Sequence, residues 1–149
     1  METIIDRVAA AAGHFVGRGD GSESGPFDAT FDIRPLLDGM GAEIRYVAAD
    51  AAGTVLHTEH TVLAFDMWSG EPTLYVLCRE LSGLGQLKLR SESTFSNGAG
   101  VDSFELQIEL TIVEDEVTYV WSWGTPGEAL AEQSRATLRR DPASNLPPR

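Results

Sequence analysis

Residues 102–113 read DSFELQIELTIV, and along them Phe104, Leu106, Ile108, Leu110 and Ile112 alternate with Glu105, Gln107, Glu109 and Thr111. An apolar residue at every second position marks a strand with one face in a core and the other in water, because successive side chains of an extended chain point to opposite sides. Glu114-Asp115 reads as a tight turn, and beyond it Val117, Tyr119, Trp121 and Trp123 line one face against Thr118 and Ser122. The two segments together predict an antiparallel hairpin whose apolar faces share one interior.

The same period of two extends through most of the chain. Over 27–33, Phe27, Ala29, Phe31 and Ile33 share one face and Asp28, Thr30 and Asp32 the other; residues 35–41 then read as a turn around Asp38-Gly39. Ile44, Tyr46 and Ala48 continue the alternation opposite Glu43 and Arg45. Residues 54–66 are long enough for a bent or bulged strand with an unusually polar interior. Further strands are expected over 72–79, 84–90 and 91–95, before a loop at 97–100, and a last one over 133–140 after Thr125-Pro126-Gly127. Only at the N-terminus does the spacing change: Ile4, Ile5, Val8, Ala9 and Ala12 recur at three and four, and Gly13 follows, which predicts a short amphipathic helix over 1–12.

Nine or ten strands joined by short turns leave no room for parallel crossovers, so the sheet is expected to be antiparallel, with neighbours in sequence paired in space. Left open, such a sheet would expose two edges; rolled shut, it removes them and puts the apolar alternates inside. A sandwich is less favoured, because Greek-key layouts need a longer crossing connection. The fold class is therefore mostly β, an antiparallel up-and-down β-barrel with a short N-terminal helix, forming one domain over 1–140. Residues 141–149 carry three prolines and no apolar pattern, and are expected to be disordered.

Bulk composition narrows the function classes. The 149 residues carry a formal charge of −12, which repels polyanions and argues against nucleic-acid binding. The single cysteine, Cys78, forbids an intrachain disulfide, and its place beside Leu74 and Val76 on one strand face predicts an inert buried thiol. Glu2, Asp6 and Arg7 interrupt the N-terminal apolar residues, so no signal peptide is expected, and no apolar run approaches the roughly 20 residues of a membrane span. A cytoplasmic location is the resulting expectation.

The opening segment His14-Phe15-Val16-Gly17-Arg18-Gly19-Asp20-Gly21, between a short helix and a strand meander, resembles the calycin-like barrels, which include fatty-acid-binding proteins, nitrobindin-like haem barrels and related bacterial families. Arg18-Gly19-Asp20-Gly21 looks like the start of a nitrobindin-like barrel, and Leu56-His57-Thr58-Glu59 like the strand that supplies a cavity-facing histidine there. The resemblance implies a small apolar ligand held inside, with function by binding more than by chemistry. It also implies, in the haem-binding branch, an axial histidine near the C-terminus. Here the histidines are His14, His57 and His60 and none follows, so that branch's usual ligand is missing, and a haem would have to take His57 instead. In the fatty-acid-binding branch an arginine of the last strand clamps the carboxylate; Arg135 stands in that place, but Thr137 replaces the aromatic partner.

The residues themselves offer a few candidates for a site. His57 and Glu59, two apart in a strand, share a face with Cβ atoms about 7 Å apart, near enough to anchor one ligand or to tune each other for acid–base work. Composition leaves open whether that face, or the one bearing Leu56, Thr58, His60 and Val62, points inward. His57 and His60 fall on opposite faces, and no set of metal ligands is recognisable. The Tyr119, Trp121 and Trp123 stripe suits either core packing or a flat ligand. No activated serine or other nucleophile accompanies these groups. The expected site is a cavity holding a small hydrophobic or flat ligand, lined by Tyr46, His57, Glu59, Trp121, Trp123 and Arg135. The rival readings are an enzyme with His57 as general acid or base, and a filled interaction barrel that pairs with a second copy.

Overall fold

The computed structural model describes residues 1–98 and 104–142. Ten strands form one closed antiparallel barrel: β1 (Gly13–Gly21), β2 (Gly25–Leu36), β3 (Gly41–Ala49), β4 (Val55–Phe65), β5 (Pro72–Cys78), β6 (Gly85–Leu89), β7 (Thr94–Ser96), β8 (Glu105–Val113), β9 (Glu116–Gly124) and β10 (Ala131–Arg140). Each strand pairs with its sequence neighbours, and β1 pairs with β10 to close the ring. Among the described strands none stands at an open edge of the sheet. The expected tail falls mostly at 143–149, outside the described residues. No helix among the described residues is long and apolar enough to cross a membrane.

The N-terminal helix α1 (Ile4–Ala10) is shorter than its apolar spacing suggests, because Thr3 begins it with a capping box. The Thr3 hydroxyl accepts from the Asp6 N–H at 3.1 Å, and the Asp6 carboxylate accepts from the Thr3 N–H at 2.8 Å. Two otherwise unpaired backbone donors are thereby satisfied. Ile4, Ile5 and Val8 are buried, and the helix packs against β2 and β3. It plugs the barrel end where β1 and β3 begin, and the turns between β1 and β2, β3 and β4, β5 and β6, and β9 and β10 gather at the other end as an open mouth.

The inward face follows the predicted alternation closely. Phe27, Ala29, Phe31 and Ile33 of β2 are buried, as are Ile44 and Tyr46 of β3, Leu106, Ile108 and Leu110 of β8, and Val117, Tyr119 and Trp121 of β9. In β4 the odd-numbered face points inward: Glu59, Thr61 and Leu63 are buried, while His60 faces out and pairs with Glu43. The expected irregularity in this strand is a register shift between Ala48 and Ala49, opposite Leu56.

Two expectations need correcting. Pro35 does not begin a turn: β2 runs on to Leu36, with Pro35 opposite Ala42, and the reversal is confined to a short helical turn at Leu37–Gly39, where Asp38 adopts a φ of 55°. Phe104 is 39% exposed and stands one residue before the ladder, whose first pair is Glu105 with Gly124. Phe65 shares the inward parity but, as the last residue of β4, lies past the core and is half exposed.

The seam between β1 and β10 explains the glycines of the first strand. Gly17 faces the neighbouring backbone so closely that a Cβ there would lie 2.0 Å from the Thr137 carbonyl oxygen, and at Gly19 it would meet the Phe27 ring at 2.2 Å. Neither position accepts a methyl group without moving the strand. Gly17→Ala is therefore expected to destabilise the barrel by about 1–3 kcal/mol, as overpacking does, lowering the thermal midpoint by roughly 2–4 °C per kcal/mol. Circular dichroism melting of the variant against the parent measures it.

Candidate functional site

The inward column of β4 turns from apolar to polar as it climbs toward the mouth: Leu63, Thr61, Glu59, then His57. Register places them beside Ala42, Ile44, Tyr46 and Ala48 of β3. Glu59 is 1% exposed, a depth at which a carboxylate needs hydrogen-bond donors to offset lost hydration. It has three. Tyr119 Oη donates to Glu59 Oε2 at 2.6 Å, Thr61 Oγ1 donates to the same oxygen at 2.5 Å, and His57 Nε2 reaches Oε1 at 3.2 Å.

His57 is held from the other side as well. Its Nδ1 lies 2.9 Å from Oε1 of Glu80, in the segment between β5 and β6. With a carboxylate oxygen at each ring nitrogen, both nitrogens are called on to donate, which suits the imidazolium. Burial opposes that charge most strongly, but the hydrogen bonds and charges of Glu59 and Glu80 together outweigh it, and the His57 pKa is raised above its ordinary 6.5. Burial likewise works against the Glu80 charge, yet His57 turns the balance and its pKa is lowered. The Tyr119 pKa is raised well above its usual value, first by burial and then by the Glu59 charge, so the phenol remains a donor. Burial and the same carboxylate raise Tyr46.

Aromatic rings surround this network. Tyr119 meets Tyr46 and Phe31 edge to face, with centroids 5.0 Å apart in each case, and His57 lies edge to face with Trp121, also at 5.0 Å. The Trp121 indole N–H is buried and reaches no acceptor at good hydrogen-bonding geometry. Above these groups the mouth holds a cavity of about 320 Å³. Its walls are Phe27, Tyr46, Leu56, His57, Trp121 and Trp123, with Glu23, Glu80, Gln133 and Ser134 on the polar side. Glu59 is not in the wall; it lies beside Tyr46 in the ladder and braces His57 from below.

The residues singled out from sequence divide accordingly. Tyr46, His57, Trp121 and Trp123 come together in the cavity wall, Glu59 supports them, and Arg135 stands apart on the outer face, bonded to Glu132 at 2.8 Å. The reason lies in β10, where Ala136 and Leu138 face inward, so Arg135 between Ser134 and Ala136 takes the opposite side; a register shift between Glu132 and Ser134 sets Ser134 opposite Trp121. The alternation of Ala136 and Leu138 with Arg135, Thr137 and Arg139 already carried that signal. Thr61 and Tyr119 share the faces of Glu59 and Trp121, so their nearness to the site follows from period two. Glu80 sits in an irregular segment with no such pattern. Cys78, buried beside Glu59, has its thiol pKa pushed up to about 12, chiefly by burial, and stays protonated.

The histidines do not fit haem ligation. Both ring nitrogens of His57 face carboxylates, while His14 bonds to Asp32 and His60 to Glu43 away from the cavity.

No family model matches the chain, and no curated protein does. The crystal structure of Rv2717c from M. tuberculosis superposes with a TM-score of 0.63 at 17% identity, covering 95% of this chain and 99% of that one. A redesigned β-barrel gives 0.48 at 11% identity over 91% of this chain and 96% of the other. The Rv2717c likeness is one of barrel fold.

Since the His57 pKa is raised, its imidazolium stabilises the fold fully below about pH 6.5, and that contribution is lost as pH rises through the elevated folded value. NMR titration of the His57 ring is expected to give a midpoint above 6.5 in the parent and a lower one in Glu59→Gln. Tyr119→Phe, which leaves the buried carboxylate short of a donor, is expected to cost about 1.5–3 kcal/mol, measured by denaturant unfolding.

Proposed function

We propose that the protein is a small-molecule-binding barrel of the calycin-like kind, taking up a flat or hydrophobic ligand non-covalently in the cavity at its mouth. The carrying observation is the division of the interior into a packed floor and an open, aromatic-walled chamber. Side chains fill the barrel from α1 up to Glu59, and above that level Tyr46, Trp121 and Trp123 border about 320 Å³ of space. That volume lies at the small end of ligand cavities. Ring faces suit a flat partner, and the floor holds them in place before any ligand arrives, which reduces the ordering cost of binding.

The ligand-binding reading accounts for the site better than its rivals. For His57 to act as general acid or base it would first have to release Glu59 or Glu80, and no nucleophile adjoins it. A wholly filled interaction barrel would have no mouth chamber. Among the described residues a fatty-acid carboxylate would find no free cation in the wall, because Arg135 faces outward and His57 is matched by two acids.

Titration with flat two-ring aromatics, followed by quenching of tryptophan fluorescence, tests the proposal. Saturable binding is expected, weakened about 2- to 10-fold in Trp123→Ala, which removes one ring contact. Trp123 is only partly buried, so its truncation spares the core. Absence of saturable binding by neutral, cationic and anionic probes alike would overturn the assignment.

A further inference from the structure

The charge of the chamber narrows the ligand class. Its wall contains two carboxylates, Glu23 and Glu80, and one group able to carry positive charge, His57. His57 is committed to Glu80 at 2.9 Å and to Glu59 at 3.2 Å, so it balances less charge than the acids around it bring. Among the described residues Glu23 has no ion-pair or hydrogen-bond partner. Among the described residues no lysine or arginine borders the cavity. A ligand anion entering here would meet acids at the rim and ring faces deeper in, both of which repel negative charge.

The rings supply the complementary half. Tyr46, Trp121 and Trp123 line one chamber, and an organic cation over the face of a tryptophan or tyrosine is held by the ring quadrupole, more strongly once desolvated. A cation with its charge spread over a ring or methyl groups loses less hydration on entry than a compact ion does. The net charge of −12 adds a long-range field that concentrates cations near the cleft.

We infer that the mouth chamber selects small organic cations, a flat aromatic or alkylated ammonium seated against Trp121, Trp123 and Tyr46 with Glu80 and Glu23 balancing its charge at the rim. This assignment rests on the chamber being a ligand site, and the experiment separates the two. Isothermal titration at low salt compares three probes of similar size: 1-methylquinolinium, neutral quinoline at pH 8, and 1-naphthoate.

The cation is expected to bind about tenfold or more tighter than quinoline, with 1-naphthoate weakest. The cation's advantage over quinoline, taken as the ratio of the two affinities within each variant, is expected to shrink with added salt and to shrink severalfold in Glu80→Gln and in Glu23→Gln. Both acids are exposed, and a circular dichroism melt confirms that the variants fold. Equal affinity for all three probes, or preference for 1-naphthoate, would overturn the cation selectivity and leave the chamber as a ligand site. Binding of none of them would overturn both.

Discussion

Closure of the sheet between β1 and β10 is the constraint on which everything else in this molecule depends. Seven residues of β1 pair with β10 in unbroken register, from Phe15 with Arg140 to Gly21 with Ser134. Without that seam the ten strands would form an open sheet with two unpaired edges and no enclosed space. The seam is possible because Gly17 and Gly19 lack the Cβ that would collide with the opposing backbone and with Phe27. Once the ring is closed, every second side chain is committed to the interior. A single period in the sequence thereby generates both the core and the chamber.

Within that ring, depth separates the packed end from the open mouth. The end capped by α1 is filled with aliphatic and aromatic side chains, and the buried carboxylate of Glu59 marks the level at which filling stops. A charge at that depth is tolerable because Tyr119, Thr61 and His57 reach it from three directions. The same bonds fix the Tyr119 and His57 rings and, through ring contacts, Tyr46 and Trp121. Breaking such a network by removing one member is costly, since it leaves a buried polar group without its partner. A pocket wall braced in this way holds its shape whether or not a ligand is present.

Much of this was legible in the chain itself. Phe104 to Ile112 and Val117 to Trp123 show the inward and outward faces of β8 and β9 directly, with Phe104 the exception because it lies just before the ladder begins. The contrast of Ala136 and Leu138 with Arg135 and Arg139 shows the same for β10, and only an analogy with carboxylate-clamping barrels places Arg135 inside. The parity of β4 was not legible: Val55, His57, Glu59 and Thr61 are no more apolar than Leu56, Thr58, His60 and Val62. Its inward face is polar because it carries the Glu59 network with His57, Thr61 and Tyr119, so a hydrophobic criterion cannot assign it.

The sequence by itself determined the strand count to within one, the antiparallel meander, the helical N-terminus and the identity of most core residues, because side-chain alternation is a local property of extended backbone. Only the tertiary structure decided that Glu59 would be satisfied by Tyr119, sixty residues away, and that Glu80 would meet His57. It also decided that the ladder would slip at Gln133 and set Ser134 opposite Trp121 at the chamber. Those outcomes depend on which strands face each other across a closed ring and on where its ladder slips by one residue, and neither is encoded in the period of a single strand.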